Sequence, residues 1–200
     1  MSEETEPHWY DPMREIQSLG QTTAKATSLG GLAEKRAIHK GQYFTPDAVA
    51  ALMWQQGMPA LEAVRKEGQR VKVLDNSIGS GRLIQFANPD RHAIFGADVD
   101  ERCIDALGPV LKAAGFDFDV RCAGMERLYA SGMDLALINP PFSVGISSPT
   151  MIAYPCTSFG RFGPGTSAMS EAYALHQALD AAQVVVALLP RTYADEVIAD

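Results

Sequence analysis

An asparagine followed by two prolines and a phenylalanine is the group of residues in this chain best suited to do chemistry. Asn139, Pro140, Pro141 and Phe142 follow residues 135–138, an apolar run typical of a strand buried on both faces. Neither proline can donate a hydrogen bond to a neighbouring strand, so the strand must end there. The amide oxygen of Asn139, the carbonyl of Pro140 and the ring of Phe142 suit a planar base bearing an exocyclic amine. An ordinary strand-to-loop exit is the alternative, because Asn and Pro are common turn residues.

A glycine-containing turn after an earlier predicted strand is the second such group. Residues 71–74 form the strand, and Asp75 begins a turn that contains Gly79 and Gly81. Glycines there let the backbone pass close to a ligand and adopt positive φ. Asp98 ends the next predicted strand, where a carboxylate can accept hydrogen bonds from ribose hydroxyls. The turn lacks the third glycine of a dinucleotide fingerprint and the lysine of a P-loop.

Alternating strands and helices must position these two groups. Thr45, Pro46 and Asp47 begin a helix, which is expected to end at Gly57 and to be followed by a second helix over residues 59–67. Further strands are predicted at residues 93–97, 116–122 and 184–189, further helices at residues 82–86, 101–114 and 167–182, two short helices within residues 13–38, and a long loop over residues 143–166. This alternation predicts an α/β fold with a doubly wound, mostly parallel sheet.

Composition places the chain among ordinary soluble globular proteins. It has 200 residues, 46% hydrophobic and 20% charged, which suits one domain with a sizeable core. The first 12 residues hold four acids and no Lys or Arg, unlike a signal peptide. Three cysteines and four histidines lack the spacing of a zinc site, so we expect no metal and a cytoplasmic location. A net charge of −7 argues against tight binding of a phosphate backbone by this segment alone.

Taken together, the motifs resemble those of S-adenosylmethionine-dependent DNA adenine-N6 methyltransferases whose cofactor motifs precede the target-recognition domain. The matching segments are Lys-Gly-Gln-Tyr-Phe-Thr-Pro at residues 40–46, the turn at residues 75–81, Asp98, and Asn-Pro-Pro-Phe at residues 139–142; residues 173–189 resemble the helix and strand that follow. The resemblance covers about residues 36–190. It implies a tail with short helices over residues 1–37 and a Rossmann-like catalytic domain over residues 38–200.

The resemblance also implies a role for each site residue. The cofactor S-adenosylmethionine would be bound by Tyr43, Thr45, Asp75, Gly79, Gly81 and Asp98. In the catalytic motif of Asn139, Pro140, Pro141 and Phe142, the Asn139 oxygen and the Pro140 carbonyl would bind the adenine amine. The Phe142 ring would stack on the base after it has been flipped out of the duplex.

Several departures from the family pattern keep other functions open. Asn76 stands where the family usually has proline, and Ile78 stands where it usually has a small residue. Met125 occupies the position of an acid that contacts the cofactor's adenine, unless Glu126 takes that role. One alternative is therefore a degenerate module that binds DNA or a partner. The other is an amino-group methyltransferase acting on RNA guanine or protein glutamine.

The family core has seven strands, whereas this chain stops soon after the fifth predicted one. We therefore expect the domain to be incomplete at its C-terminus, and DNA to be bound through a missing C-terminal region or a partner protein. We expect no membrane association. The open edge of the fifth strand is a possible site of self-association.

Overall fold

The computed structural model describes residues 45–64, 68–157 and 160–191. The predictions for Tyr43 and for short helices within residues 13–38 lie outside these ranges. The helices are α1 (Asp47–Val64), α2 (Glu101–Ala113) and α3 (Ser170–Ala181). The strands are β1 (Val71–Asp75), β2 (His92–Asp98), β3 (Asp117–Cys122), β4 (Met133–Ile138), β5 (Gly145–Ser147), β6 (Tyr154–Thr157), β7 (Gly160–Phe162), β8 (Ser167–Met169) and β9 (Ala182–Ala187). No helix in these ranges has the length and apolar character needed to cross a membrane.

Five of the strands form one sheet in the order β3-β2-β1-β4-β9, and every neighbouring pair is parallel. This confirms the predicted parallel sheet. From β1 the chain builds outward through β2 and β3, then returns to the other side of β1 for β4 and β9. The direction of winding therefore changes between β1 and β4. In such sheets, ligands bind beyond the carboxyl ends of the strands at this change of direction.

Both faces of the sheet are covered, which explains why β1 and β4 are apolar along most of their length. Val73 and Leu135 belong to a core shared with α1 and α2. Leu74, Ala136 and Ile138 belong to a second core that includes α3. Successive side chains of a strand point to opposite faces, so a central strand between two helical layers must be apolar at almost every position.

The helix near Gly57 differs from the prediction, because α1 continues through both Gly57 and Pro59. A Cβ atom on Gly57 would lie 3.0 Å from Leu135 Cδ1 and 3.2 Å from Val186 Cγ2. The glycine therefore lets α1 pack closely on β4 and β9. That packing outweighs the roughly 1 kcal/mol by which glycine disfavours a helix interior relative to alanine. The prediction of two helices was wrong.

Two other predicted elements also differ. The helix expected over residues 82–86 is a 3₁₀ turn limited to Arg82–Ile84. The loop expected over residues 143–166 contains β5, β6 and β7; β6 pairs with β7, and β5 pairs with β8. Because β8 is held in that antiparallel pair, α3 begins at Ser170 and not at residue 167 as predicted.

Candidate functional site

The turn after β1, called here the β1 turn (residues 75–81), lies against the carboxyl end of β2. Gly79 and Gly81 have φ values of 52° and 90°, in the left-handed region that favours glycine. The N–H of Ile78 donates to the carbonyl of Ala97 at 2.9 Å. The predicted role of the two glycines in shaping this turn therefore agrees with their backbone conformation.

Gly96 of β2 makes this close approach possible, although the sequence analysis did not single it out. A Cβ atom at this position would lie 2.6 Å from the carbonyl oxygen of Asp75 and 2.8 Å from Ile78 Cδ1. Any larger residue would displace the β1 turn from the sheet. The only sequence signal was a glycine inside a predicted strand, which often marks close approach of another backbone.

Asp98, at the end of β2, is joined to the β1 turn by its side chain. Its Oδ2 accepts a hydrogen bond from the N–H of Gly79 at 2.9 Å, and its Oδ1 accepts one from the N–H of Asp100 at 2.8 Å. The carboxylate is thus fixed at the edge of the sheet where a ribose contact was predicted. The ribose contact itself remains a prediction.

Asp75 is the most deeply buried acid of the site, with 1% of its surface exposed. Burial raises the pKa of its carboxyl to about 7, and the nearby negative charge of Asp98 acts in the same direction. The N–H of Ser77, which donates to Asp75 Oδ1 at 3.1 Å, opposes the rise in pKa. With a pKa of about 7, Asp75 changes its charge near neutral pH at the start of the β1 turn.

Asn139 ends β4 and contacts a residue far away in the sequence. Its Nδ2 donates to the hydroxyl oxygen of Thr45 at 2.9 Å, and Thr45 is only 4% exposed. Thr45 precedes α1, and the first turn of that helix includes a hydrogen bond from the Val49 N–H to the Pro46 carbonyl. The structure thus brings together two residues that the sequence analysis assigned to different motifs.

Ser77 joins this pair to the β1 turn. Its hydroxyl donates to the backbone carbonyl of Asn139 at 3.2 Å, while its N–H donates to Asp75. One serine therefore fixes the carboxyl end of β4 relative to the carboxyl end of β1. Sequence reasoning assigned no role to Ser77, since a serine in a turn is too common to be distinctive.

The turn after β4, called here the β4 turn (residues 139–143), is held by the first residues of α3. Pro140 is buried, and Pro141 and Phe142 are partly buried. The hydroxyl of Ser170 donates to the carbonyl of Pro141, and the N–H of Ser143 donates to Glu171 Oε2 at 3.0 Å. The sequence analysis missed Ser170 and Glu171 because it placed residue 170 inside a helix rather than at its first turn.

Asn76, one of the departures from the family pattern, has a structural role. Its Nδ2 donates to the carbonyl of Ala174 at 3.0 Å and to Gln177 Oε1 at 2.9 Å, so α3 contacts the β1 turn. Gln177 Nε2 in turn donates to the carbonyls of Met125 and Leu128 at 2.7 and 2.6 Å. Asn76 therefore belongs to a buried network that connects α3 to two loops at the edge of the sheet.

The side chains of Met125 and Glu126 lie in different environments. The Met125 side chain is buried in the core beneath α3, so it presents no polar group to a ligand. The Glu126 carboxylate lies directly over Gly124, where a Cβ atom would be 2.1 Å from Glu126 Oε2. The N–H of Ala123 donates to the carbonyl of Asp98 at 2.9 Å. This bond places the segment that carries Glu126 near the carboxyl ends of β2 and β3.

Five of the described residues predicted for the site thus lie in two hydrogen-bonded groups at the carboxyl ends of β1, β2 and β4, and the β1 turn connects the two groups. They are Thr45, Asp75, Gly79, Asp98 and Asn139. Gly81 shapes the same turn but faces α2, because a Cβ atom there would lie 2.9 Å from Leu107 Cδ1. The arrangement places two carboxylates on the β1 side and one amide on the β4 side of a single edge.

Comparison with known proteins adds evidence about the fold. A scan against protein-family models finds no match. A search of curated proteins finds no match either. Among solved structures, a Listeria monocytogenes protein described as a class I S-adenosylmethionine-dependent methyltransferase matches with a TM-score of 0.59 and 13% identity, over 90% of this chain and 54% of that one.

Two further solved structures show the same fold. A Pyrococcus horikoshii protein described as an RNA methyltransferase matches with a TM-score of 0.55 and 18% identity, over 88% of this chain and 78% of that one. A type I restriction-modification methyltransferase subunit of Streptococcus thermophilus matches with a TM-score of 0.50 and 20% identity, over 73% of this chain and 34% of that one. This chain therefore spans about half of the Listeria protein and a third of the Streptococcus subunit. The shared architecture is the Rossmann-like fold of class I S-adenosylmethionine-dependent methyltransferases.

Proposed function

We propose that this chain is the catalytic part of an S-adenosylmethionine-dependent methyltransferase that acts on the N6 amino group of adenine in DNA. The observation that carries the proposal is the hydrogen bond from Asn139 to Thr45, together with the bond from Ser77 to the Asn139 carbonyl. These contacts combine the β1 turn and the β4 turn into one site. A cofactor on one side and an amine on the other would then meet.

The chemistry of the β1 side fits S-adenosylmethionine. Asp98 offers carboxylate oxygens at the end of β2, which suit the two hydroxyls of a ribose. Asp75 offers a second carboxylate, which in its ionised form would attract the positive charges of the cofactor. When bound, the cofactor supplies an electrophilic methyl group.

The β4 side fits a planar amine. The bond from Asn139 Nδ2 to Thr45 uses the amide nitrogen and fixes the orientation of the amide group. The Asn139 amide oxygen and the Pro140 carbonyl would accept the two hydrogens of an adenine amine, whose lone pair is delocalised into the ring. Accepting both hydrogens favours a tetrahedral nitrogen and aligns its lone pair for attack. Such positioning and fixed dipoles supply much of the rate, and no strong base is required.

Phe142 would bind the base itself. An adenine within a duplex is out of reach, so it must be flipped at a cost of a few kcal/mol. Stacking on an aromatic ring contributes roughly 1–3 kcal/mol per base, which offsets part of that cost. Phe142 directly follows the prolines and is only partly buried, so part of its surface could contact a base.

The choice of DNA adenine depends on the resemblance of the motifs. The segment at residues 41–46, Gly-Gln-Tyr-Phe-Thr-Pro, resembles the upstream cofactor motif of the DNA enzymes. The departure at Asn76 is accounted for by its bonds to α3, so it does not by itself favour a degenerate module. RNA guanine and protein glutamine remain the alternative acceptors.

We further propose that sequence-specific contact with DNA comes from another region or a partner protein. The net charge of −7 provides little attraction for phosphates, and specific recognition needs phosphate anchors as well as contacts to base edges. Weak, salt-sensitive DNA binding by the 200-residue chain in a gel-shift assay is the expected result. Tight and sequence-selective binding would contradict this part of the proposal.

Methyl transfer from labelled S-adenosylmethionine tests the main proposal. The full-length protein is incubated separately with DNA, RNA and protein acceptors, and the DNA is then digested for base analysis. Label in N6-methyladenine is expected, and it should fall by at least ~10²–10³-fold with Asn139→Ala. Label in RNA guanine or in glutamine would overturn the choice of acceptor. A lack of cofactor binding would favour the degenerate module.

A further inference from the structure

The β4 turn ends in an unusual backbone conformation. Within the described part of the chain, Ser143 is the non-glycine residue that adopts a positive φ, at 58°. This conformation is disfavoured for residues with a Cβ atom and persists only where surrounding contacts impose it. Ser143 directly follows Phe142, so the contacts that impose this conformation also constrain the backbone at the end of the motif over residues 139–142.

Those contacts come from two buried side chains at the start of α3. Glu171 is 4% exposed and Ser170 is 1% exposed. Glu171 Oε2 accepts the N–H of Ser143 at 3.0 Å and lies 3.1 Å from Ser170 Oγ. The Ser170 hydroxyl lies within hydrogen-bonding distance of the Pro141 carbonyl and accepts the N–H of Val144 at 3.3 Å. The side chains of Glu171 and Ser170 therefore contact the backbone of Pro141, Ser143 and Val144.

These contacts differ from ordinary capping of a helix. Met169 occupies the N-cap position of α3 and makes no side-chain capping hydrogen bond. Capping normally uses a side chain to accept the helix's own first N–H groups. Here the polar side chains of the first turn bind backbone groups of the β4 turn, 28 residues earlier in the case of Glu171 and Ser143.

We propose that Glu171 is a positioning residue of the methyl-acceptor site. Through the Ser143 N–H, and together with Ser170, it fixes the peptide segment that carries the Pro140 carbonyl and the Phe142 ring. The inference rests on the proposed function, since it concerns the orientation of the groups that would receive the amine. Glu171 bonds to Ser143 and Ser170, both on the acceptor side, so its loss should affect the acceptor step and not cofactor binding.

The variants Glu171→Ala and Glu171→Gln test this role in the full-length protein. Alanine removes the acceptor, whereas glutamine keeps an oxygen at the same distance from Ser143 and should restore part of the function. Leu179→Ala is the matched control, because Leu179 lies on the same helix and is 57% exposed. If alanine prevents folding, the glutamine variant still allows the same comparison.

Two readouts are needed. In methyl transfer, Glu171→Ala should lower kcat by ~10–100-fold, as expected when a reacting group is misplaced by about 1 Å. The cofactor Kd should stay within about twofold, because only the acceptor side is disturbed. In ¹⁹F NMR with 4-fluorophenylalanine in place of Phe142, one sharp resonance should become broad or multiple in Glu171→Ala, less so in Glu171→Gln, and not in Leu179→Ala.

The two readouts separate failure of this inference from failure of the proposed function. An unchanged ¹⁹F resonance in Glu171→Ala would overturn the positioning role whether or not the protein transfers methyl groups. A fall in kcat equal to the loss of folded protein would do the same. Absence of transfer by the unmodified protein, with the resonance still dependent on Glu171, would refute the proposed function while supporting the positioning role.

Discussion

The β1 turn and the β4 turn lie side by side at one edge of the sheet, but their main contacts come from different parts of the chain. The β1 turn is fixed against the adjacent strand β2, through the bond from the Ile78 N–H to the Ala97 carbonyl and the bond from the Gly79 N–H to the Asp98 carboxylate, and Asn76 ties it to α3. The β4 turn is fixed by side chains from distant segments, with Thr45 bonded to Asn139 across 94 residues and Glu171 bonded to Ser143.

This difference matches what each turn is proposed to do. A cofactor is the same molecule in every reaction, so a turn built from glycine geometry and a carboxylate suffices to bind it. An acceptor amine must be aligned closely with the methyl group, and small misplacements cost much of the rate. The buried side chains of Thr45, Ser170 and Glu171 give the β4 turn that constraint.

The largest expected effect is the loss of methyl transfer in Asn139→Ala. Removing the amide deletes one of the two groups proposed to accept the amine hydrogens, and kcat should fall by at least ~10²–10³-fold. Cofactor affinity should change little, since Asn139 lies on the β4 side. Steady-state kinetics together with calorimetry measure both values. A parallel loss of cofactor affinity would show that the two turns do not divide the roles in this way.

The next effect concerns the pH dependence of stability through Asp75. Its pKa in the folded protein is about 7, above the ordinary value of 3.8, so the folded state binds the proton more tightly than the unfolded state. The stabilisation from the protonated group is complete below about pH 3.8, and it is lost as the pH rises from there through 7. The free energy of unfolding should fall by about 1.4 kcal/mol per pH unit over this range, relative to Asp75→Asn.

Urea unfolding of both proteins between pH 4 and pH 8 provides the measurement for Asp75. The difference between the two proteins is the relevant quantity, because other titrating groups contribute equally to both. A constant difference across this range would mean that Asp75 is not desolvated as the structure indicates.

A smaller effect is expected at Gly96, which tests the close packing of the β1 turn. Gly96→Ala places a Cβ atom 2.6 Å from the Asp75 carbonyl, so the turn must shift. Such overpacking typically costs 1–3 kcal/mol of stability, and cofactor affinity should fall with it. Gly108→Ala is the matched control, since nothing lies within 4 Å of a Cβ atom there. Gly108 lies inside α2, and a helix interior favours alanine over glycine. Equal stability of the two variants would contradict the described packing.

The β1 side could largely be predicted from the sequence. Apolar runs indicated β1, β2 and β4, and the glycines and Asp98 marked the turn, because each of these signals is local. Helix boundaries were less predictable. Gly57 was interpreted as a helix end, whereas its missing side chain serves the contact with Leu135, a contact that only the folded chain reveals.

The contacts that fix the β4 turn could not be predicted in the same way. The motif at residues 139–142 was evident, but its partners Thr45, Ser170 and Glu171 come from distant parts of the chain. Serine and glutamate near the start of a helix are common, so neither residue indicated a contact with a turn 28 residues earlier. Pairing of β5 with β8 sets where α3 begins, and that pairing depends on the tertiary structure.

Calorimetric titration with S-adenosylmethionine tests the central claim most directly, because one site with a cofactor side and an acceptor side must first bind the cofactor. We expect one-site binding at or below millimolar cofactor, weakened by about 1–3 kcal/mol in Asp98→Ala through the loss of hydrogen bonds to a charged group. Asn139→Ala should bind like the unmodified protein. No binding at millimolar cofactor, or equal binding by Asp98→Ala and the unmodified protein, would contradict the account.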